Sequence, residues 1–177
     1  MSSAISLPQE IFKAYDIRGV VGKTLTAPAV ERIGQALGSL AREATHSATG
    51  RPTIAIGRDG RLSGPDLAGA LARGIQAAGV DVVDVGMATT PMVYFAAHHL
   101  KCGNAIAVTG SHNPPDYNGL KMVIGGTTLS GEAIQALRHR AASGEPASSA
   151  GSYRDIALPM SCAFTWRRRT SAINRSF

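Results

Sequence analysis

Three short apolar runs, separated by helix-length amphipathic stretches, constrain the fold of this chain more than any other feature. Thr53-Ile54-Ala55-Ile56-Gly57, Asp81-Val82-Val83-Asp84-Val85-Gly86 and Ala105-Ile106-Ala107-Val108 read as buried strands. Between the first two, Leu67, Leu71, Ile75 and Ala78 recur at helical spacing. Ser63 and Asp66 form an S-x-x-D capping box that would open this helix, and Gly79 would stop it. Thr90 and Pro91 open the next helix, which ends near Lys101. Upstream, residues 11–22 read as an extended segment turning at Gly19 and Gly22. Val30, Ile33, Leu37 and Leu40 then mark one face of a helix over residues 28–44. Residues 120–124 make a fourth strand, and Ser130 caps a last helix reaching about Arg140. Strands and helices alternating in this way predict a three-layer α/β/α domain on a largely parallel mixed sheet.

Composition narrows the class. Of 177 residues, 44% are apolar and 17% charged, which describes a soluble globular protein with no membrane partner. The N-terminus lacks a basic stretch followed by a long apolar one. Two cysteines, Cys102 and Cys162, make no disulfide framework, so a reducing, cytoplasmic setting is expected. The net charge of +6 is concentrated at one end. Residues 161–177 hold four arginines and no acid, while the rest carry 14 basic and 12 acidic groups. That balance suits a small anionic substrate better than a nucleic acid. Residues 141–152 are a linker by composition, and 161–177 read as a disordered basic tail.

The chemistry concentrates after the third strand. Thr109-Gly110-Ser111-His112-Asn113-Pro114-Pro115 precedes Tyr117-Asn118-Gly119-Leu120-Lys121. A serine hydroxyl can take up a phosphoryl group, store it and return it, splitting one transfer into two easier ones. Gly110 lets backbone approach an anion, and successive loop N–H groups can form a nest. The two prolines stiffen the loop. The site lies at the carboxyl end of a strand, where open α/β sheets bind ligands. His112 could contact a phosphate oxygen or move a proton, although adjacent side chains on extended backbone point apart, which argues against a base for Ser111. Lys121 could exchange a proton with a sugar hydroxyl, and Arg18 offers a planar fork for phosphate.

Other motifs are set aside. Gly22-Lys23-Thr24 would need a glycine at position 17 to be a P-loop, and Ile17 stands there. No G-x-G-x-x-G fingerprint occurs. His98 and His99 lack partners at metal spacing. The segment Gly57-Arg58-Asp59-Gly60-Arg61-Leu62-Ser63 looks like a phosphate loop, but its charges are expected to brace the cleft floor through local ion pairs.

Segments 12–22, 57–63 and 109–121 together resemble, in order and spacing, the first domain of the α-D-phosphohexomutases, the phosphomannomutase/phosphoglucomutase family. The resemblance covers about residues 8–158. It implies a domain over 8–142, a linker over 143–160 and a non-family tail over 161–177. It further implies a four-domain enzyme with Ser111 as the phosphorylated residue, which offers Mg²⁺ one phosphate oxygen. Arg18 and Lys121 would serve acid–base steps, and His112 a phosphate or loop-ordering contact. Thr109, Gly110, Asn113 and Tyr15 would bind substrate or phosphate. The implied partners are mannose or glucose 1- and 6-phosphates and the 1,6-bisphosphate between them. The family's Asp-Gly-Asp-Gly-Asp-Arg metal loop and Gly-Glu-Met-Ser-Gly-His sugar loop are absent from these residues, as is its arginine- and serine-rich phosphate loop. The resemblance therefore implies an incomplete mutase, inactive alone, whose arginine-rich tail reads as an early-ending frameshift. The alternative is a non-catalytic sugar-phosphate-binding or interaction module. In either case the exposed domain interface could drive self-association.

Overall fold

The computed structural model describes residues 5–44, 51–144 and 150–156. The basic tail lies outside them. A short 3-10 turn at Gln9–Ile11 leads into β1 (Ile17–Val20) and α1 (Ala27–Ala44). Then come β2 (Thr53–Arg58), α2 (Gly64–Ala77), β3 (Asp81–Met87), α3 (Thr90–His99) and β4 (Ala105–Val108). The remaining elements are β5 (Tyr117–Ile124), β6 (Thr127–Thr128), α4 (Glu132–Ser143) and β7 (Tyr153–Asp155).

The sheet runs β1-β5-β4-β2-β3-β7, with β6 on β5. Neighbours from β4 to β7 pair parallel, joined through helices, whereas β5 pairs antiparallel with β1, β4 and β6. The sheet is thus more evenly mixed than the helix–strand alternation predicts. The cause lies in residues 109–116. A parallel return needs a crossover of about a dozen residues or more, and this connection is shorter, so β5 folds back beside β4.

Burial explains the three layers. Ile54, Ile56, Val82, Ile106 and Val108 face α1, α2 and α4, joining Val30, Leu37, Leu71, Ile75 and Leu137 in one core. Their strand neighbours Ala55, Val83, Ala105 and Ala107 point the other way, onto Val93, Ala96 and Ala97 of α3. Strands β2 and β4 alternate large and small residues, and the face with the large ones carries three helices while the other carries one. Each fully buried Ile or Leu contributes about 2 kcal/mol through loss of apolar surface to water.

Several local expectations are corrected. Gly19 is not a turn. It lies within β1, where a Cβ would come 2.7 Å from Thr24 Oγ1. Gly22, at φ +76°, is the turning residue. Ser63 makes no side-chain cap; its hydroxyl instead accepts a bond from Asn118 Nδ2 at 2.9 Å. Gly131, not Ser130, precedes α4. The stretch expected as linker begins inside α4 and contains β7, which pairs with β3 from Val82↔Tyr153 to Asp84↔Asp155.

Candidate active site

The segment after β4 leaves the sheet under tight control. Thr109 N–H still donates to Gly119 O at 2.9 Å, and Asp59 N–H to Val108 O at 3.0 Å. Asp59 thus sits at the end of β2, beside the root of the loop. Its Oδ2 accepts from Thr109 Oγ1 and from Gly110 N–H, each at 2.9 Å. Thr109 Oγ1 in turn accepts from Ser111 N–H at 2.9 Å. Asn113 closes the turn on Gly110 O through its backbone N–H at 3.0 Å and its side-chain amide at 2.8 Å. Ser111 sits at φ +50°, a conformation unusual for a residue with a Cβ, and its side chain is exposed. Left-handed backbone of this kind persists where the surroundings over-determine it.

Arg61 supplies most of that determination. Its Nη1 donates to Pro114 O at 2.6 Å and Tyr117 O at 2.9 Å. Its Nη2 donates to Asn113 O at 2.6 Å and Ser111 O at 3.2 Å. One guanidinium thereby gathers four carbonyls of one loop, and Asp59 Oδ2 lies 3.6 Å from its Nε. A Cβ at position 110 would overlap this guanidinium, which is why glycine stands there. The pair is indeed a brace, but it grips the serine loop's backbone rather than a cleft floor. Sequence reading missed this because the partners lie some fifty residues away and are carbonyls, which no residue type announces.

Arg18 and Lys121 converge through a residue the sequence reading gave no role. β1 and β5 pair with Ile17 opposite Leu120 and Arg18 opposite Gly119. Continuing that register brings Asp16 opposite Lys121. The buried Asp16 carboxylate lies 2.6 Å from Arg18 Nη2 and 3.8 Å from Lys121 Nζ. Arg18 Nη1 also donates to Asn113 Oδ1 at 3.2 Å. A chain of contacts therefore links Lys121 through Asp16 and Arg18 to the serine loop. Two cations sharing one carboxylate leave a positive balance that favours an anion. The i, i+2 spacing of Asp16 and Arg18 on an extended segment was the available signal.

The structure thus brings Ser111, His112, Asn113, Gly110, Thr109, Arg18 and Lys121 to one end of the sheet. Tyr15 is 76% exposed and outside this network. His112 Nδ1 is 3.5 Å from Ser111 Oγ, too long for effective activation. An open groove of about 670 Å³ borders Ser111 and Asn113 and is walled by Asp59, Arg61, Ser63 and Pro115. Arg18 and Lys121 do not line it. His99 stacks on Phe95 at 5.9 Å between ring centroids, a packing role for one of the paired histidines. Among the described residues, no three His, Cys, Asp or Glu side chains group to hold a metal ion. Ser111 alone brings one oxygen, fewer than magnesium's near-octahedral shell needs. The described residues therefore do not fit a self-sufficient magnesium site.

Residues 9–148 match the family model for phosphoglucomutase/phosphomannomutase, alpha/beta/alpha domain I. A phosphomannomutase/phosphoglucomutase of Pseudomonas aeruginosa is 50% identical over 155 residues, 88% of this chain and 32% of that protein. A phosphoglucomutase of Neisseria gonorrhoeae is 56% identical over 132 residues, 75% of this chain and 28% of that protein. A Burkholderia thailandensis phosphoglucomutase/phosphomannomutase family structure superposes with a TM-score of 0.79 at 46% identity, covering 89% of this chain and 35% of its own. The chain spans about a third of the length of the curated relatives it matches. With its serine loop, its layers and its sequence all in agreement, the chain belongs to the phosphoglucomutase/phosphomannomutase family and carries that family's α/β/α domain I.

Proposed function

We propose that Ser111 is the phosphoryl carrier of a hexose phosphate mutase and that this chain is the carrier domain. The observation that supports the reading best is Ser111 itself, exposed and at φ +50° on a loop whose carbonyls are drawn inward by Arg61. In the forward step, a sugar hydroxyl oxygen of a hexose 1-phosphate bonds to the phosphorus held on Ser111. The Ser111 Oγ–P bond breaks, and the hydroxyl proton passes to a base. Lys121 is the group we assign to that exchange, with Arg18 stabilising charge on the phosphoryl oxygens. The resulting 1,6-bisphosphate turns round and returns its other phosphate to Ser111. His112 and Thr109 order the loop around the phosphate, while Gly110 and Asn113 shape it. Magnesium in this reading takes its remaining ligands from beyond the described residues.

The test is phosphoryl uptake. The purified chain is incubated with hexose 1,6-bisphosphate, with and without Mg²⁺, then digested and analysed by mass spectrometry. One phosphoryl group on Ser111, and none in Ser111→Ala, is expected. A parallel assay with mannose or glucose 1-phosphate is expected to show no sustained 6-phosphate formation. Absence of phosphoryl on Ser111 overturns the carrier reading. A second reading, an interaction module without turnover, draws on Leu62 and Met87, which are 99% and 74% exposed. Self-association in sedimentation would favour it, and a monomer at high concentration would count against it.

A further inference from the structure

Arg61 draws in the carbonyls of Ser111, Asn113, Pro114 and Tyr117. A trans peptide is planar, so a carbonyl turned toward Arg61 sends the following N–H away from it. Among the described residues no peptide is cis. The four outward positions are therefore those of His112, Pro114, Pro115 and Asn118. Two are prolines and have no N–H. Asn118 lies in β5, opposite Gly19 in the ladder with β1. His112 is left, and its N–H donates no hydrogen bond within the described structure. Its amide is the one immediately following Ser111, whose side chain is exposed.

We propose that Arg61 is a positioning residue that fixes the Ser111–His112 peptide so that the His112 N–H donates to a phosphoryl group carried on Ser111 Oγ. This rests on the carrier reading above. Arg61 never touches the phosphoryl group. It acts through the peptide, and Asp59 holds the other side of the loop by taking Thr109 and Gly110. The two prolines sharpen the arrangement, since they leave the loop with no competing outward donor from their own peptides. A fixed N–H is already oriented when charge arrives, so it favours the phosphate dianion without reorganisation. Lysine cannot substitute, because a single ammonium cannot span four carbonyls as the planar fork does.

The experiment installs phosphoserine at position 111 during synthesis of the full chain and follows the ¹H–¹⁵N spectrum and the ³¹P signal across pH. In the otherwise unchanged chain, the His112 amide proton is expected to move downfield on phosphorylation and to track the phosphate titration. In Arg61→Gln and Arg61→Lys that tracking is lost and the phosphate midpoint rises by about half a pH unit, while amides of α1 and α2 stay in place. A purely structural arginine would leave the phosphate midpoint unmoved in the folded Arg61→Lys variant, which keeps the positive charge and loses only the fork. A His112 amide that ignores the titration in the unsubstituted phosphoprotein overturns the proposal, whatever the variants do. Equal tracking in Arg61→Gln overturns it too. Because phosphoserine is placed chemically, these outcomes do not depend on whether a hexose bisphosphate can phosphorylate the chain, which tests the carrier reading separately.

Discussion

Two arginines leave the end of β2 three residues apart and do opposite things. Arg58 gives its Nη1 to both oxygens of Asp84, at 3.1 and 3.3 Å, and that carboxylate also takes Gly86 N–H at 2.7 Å and Tyr153 O–H at 2.9 Å. There an anion collects donors on a buried carboxylate, and β7 is tied to the sheet edge. Arg61 is the reverse, a cation collecting four acceptors. Drawing in the Ser111 carbonyl turns the His112 N–H outward, so the second knot leaves one backbone donor for the anion we propose. The same two residue types thus make a structural clasp in one place and a chemically available loop in the other. The difference lies in which partner is the hub.

The comparison breaks most readily at Arg61. Arg61→Ala should slow phosphoryl uptake onto Ser111 by about 100-fold, the scale expected when a reacting group is displaced by about 1 Å, while the thermal midpoint falls only modestly. A rate unchanged by the substitution would show that the loop holds its shape unaided. Next is Asp84→Ala, which strands Arg58, Gly86 N–H and Tyr153 O–H together. It should cost about 2 kcal/mol in urea unfolding, less than a fully buried pair because the Arg58 side chain is 26% exposed. Phosphoryl uptake should stay near that of the parent. A loss of uptake matching the loss of stability would mean that the two knots are coupled.

The smallest effect concerns Tyr153. Burial, then its hydrogen bond to Asp84, push its hydroxyl from 10.0 up to about 12. The folded state therefore favours the neutral phenol. That contribution is complete below pH 10 and is lost as pH rises from there toward 12. Tyr153→Phe should flatten this part of the alkaline stability profile and cost about 0.5 kcal/mol at neutral pH. An unchanged alkaline slope would place the titration elsewhere, for instance on Tyr94, whose hydroxyl burial also raises.

Hydrophobic spacing and the T-G-S-H-N-P-P run determined much of this protein unaided. Apolar residues at period two or 3.6 announce strands and helices because burial acts on every such residue in the same way. All four helices and strands β2 to β5 are accordingly legible, with ends within a few residues. Ser111, Arg18 and Lys121 could be put forward from the sequence because their side chains advertise their chemistry. The structure places Arg18 and Lys121 on one carboxylate that contacts the serine loop through Arg18, while their roles stay with the proposal. The tertiary structure alone decided the rest. Asp16 becomes a bridge only once β1 pairs with β5. Ser63 gives up its cap for Asn118, across 55 positions of chain. Tyr153 to Asp155, read as linker, becomes a strand because β3 offers an open edge and Asp84 a partner for the tyrosine hydroxyl. Arg61 finds its partners among backbone carbonyls, and every residue has one. Which four come within reach of one guanidinium is a matter of chain path, and no pattern of side chains encodes it locally.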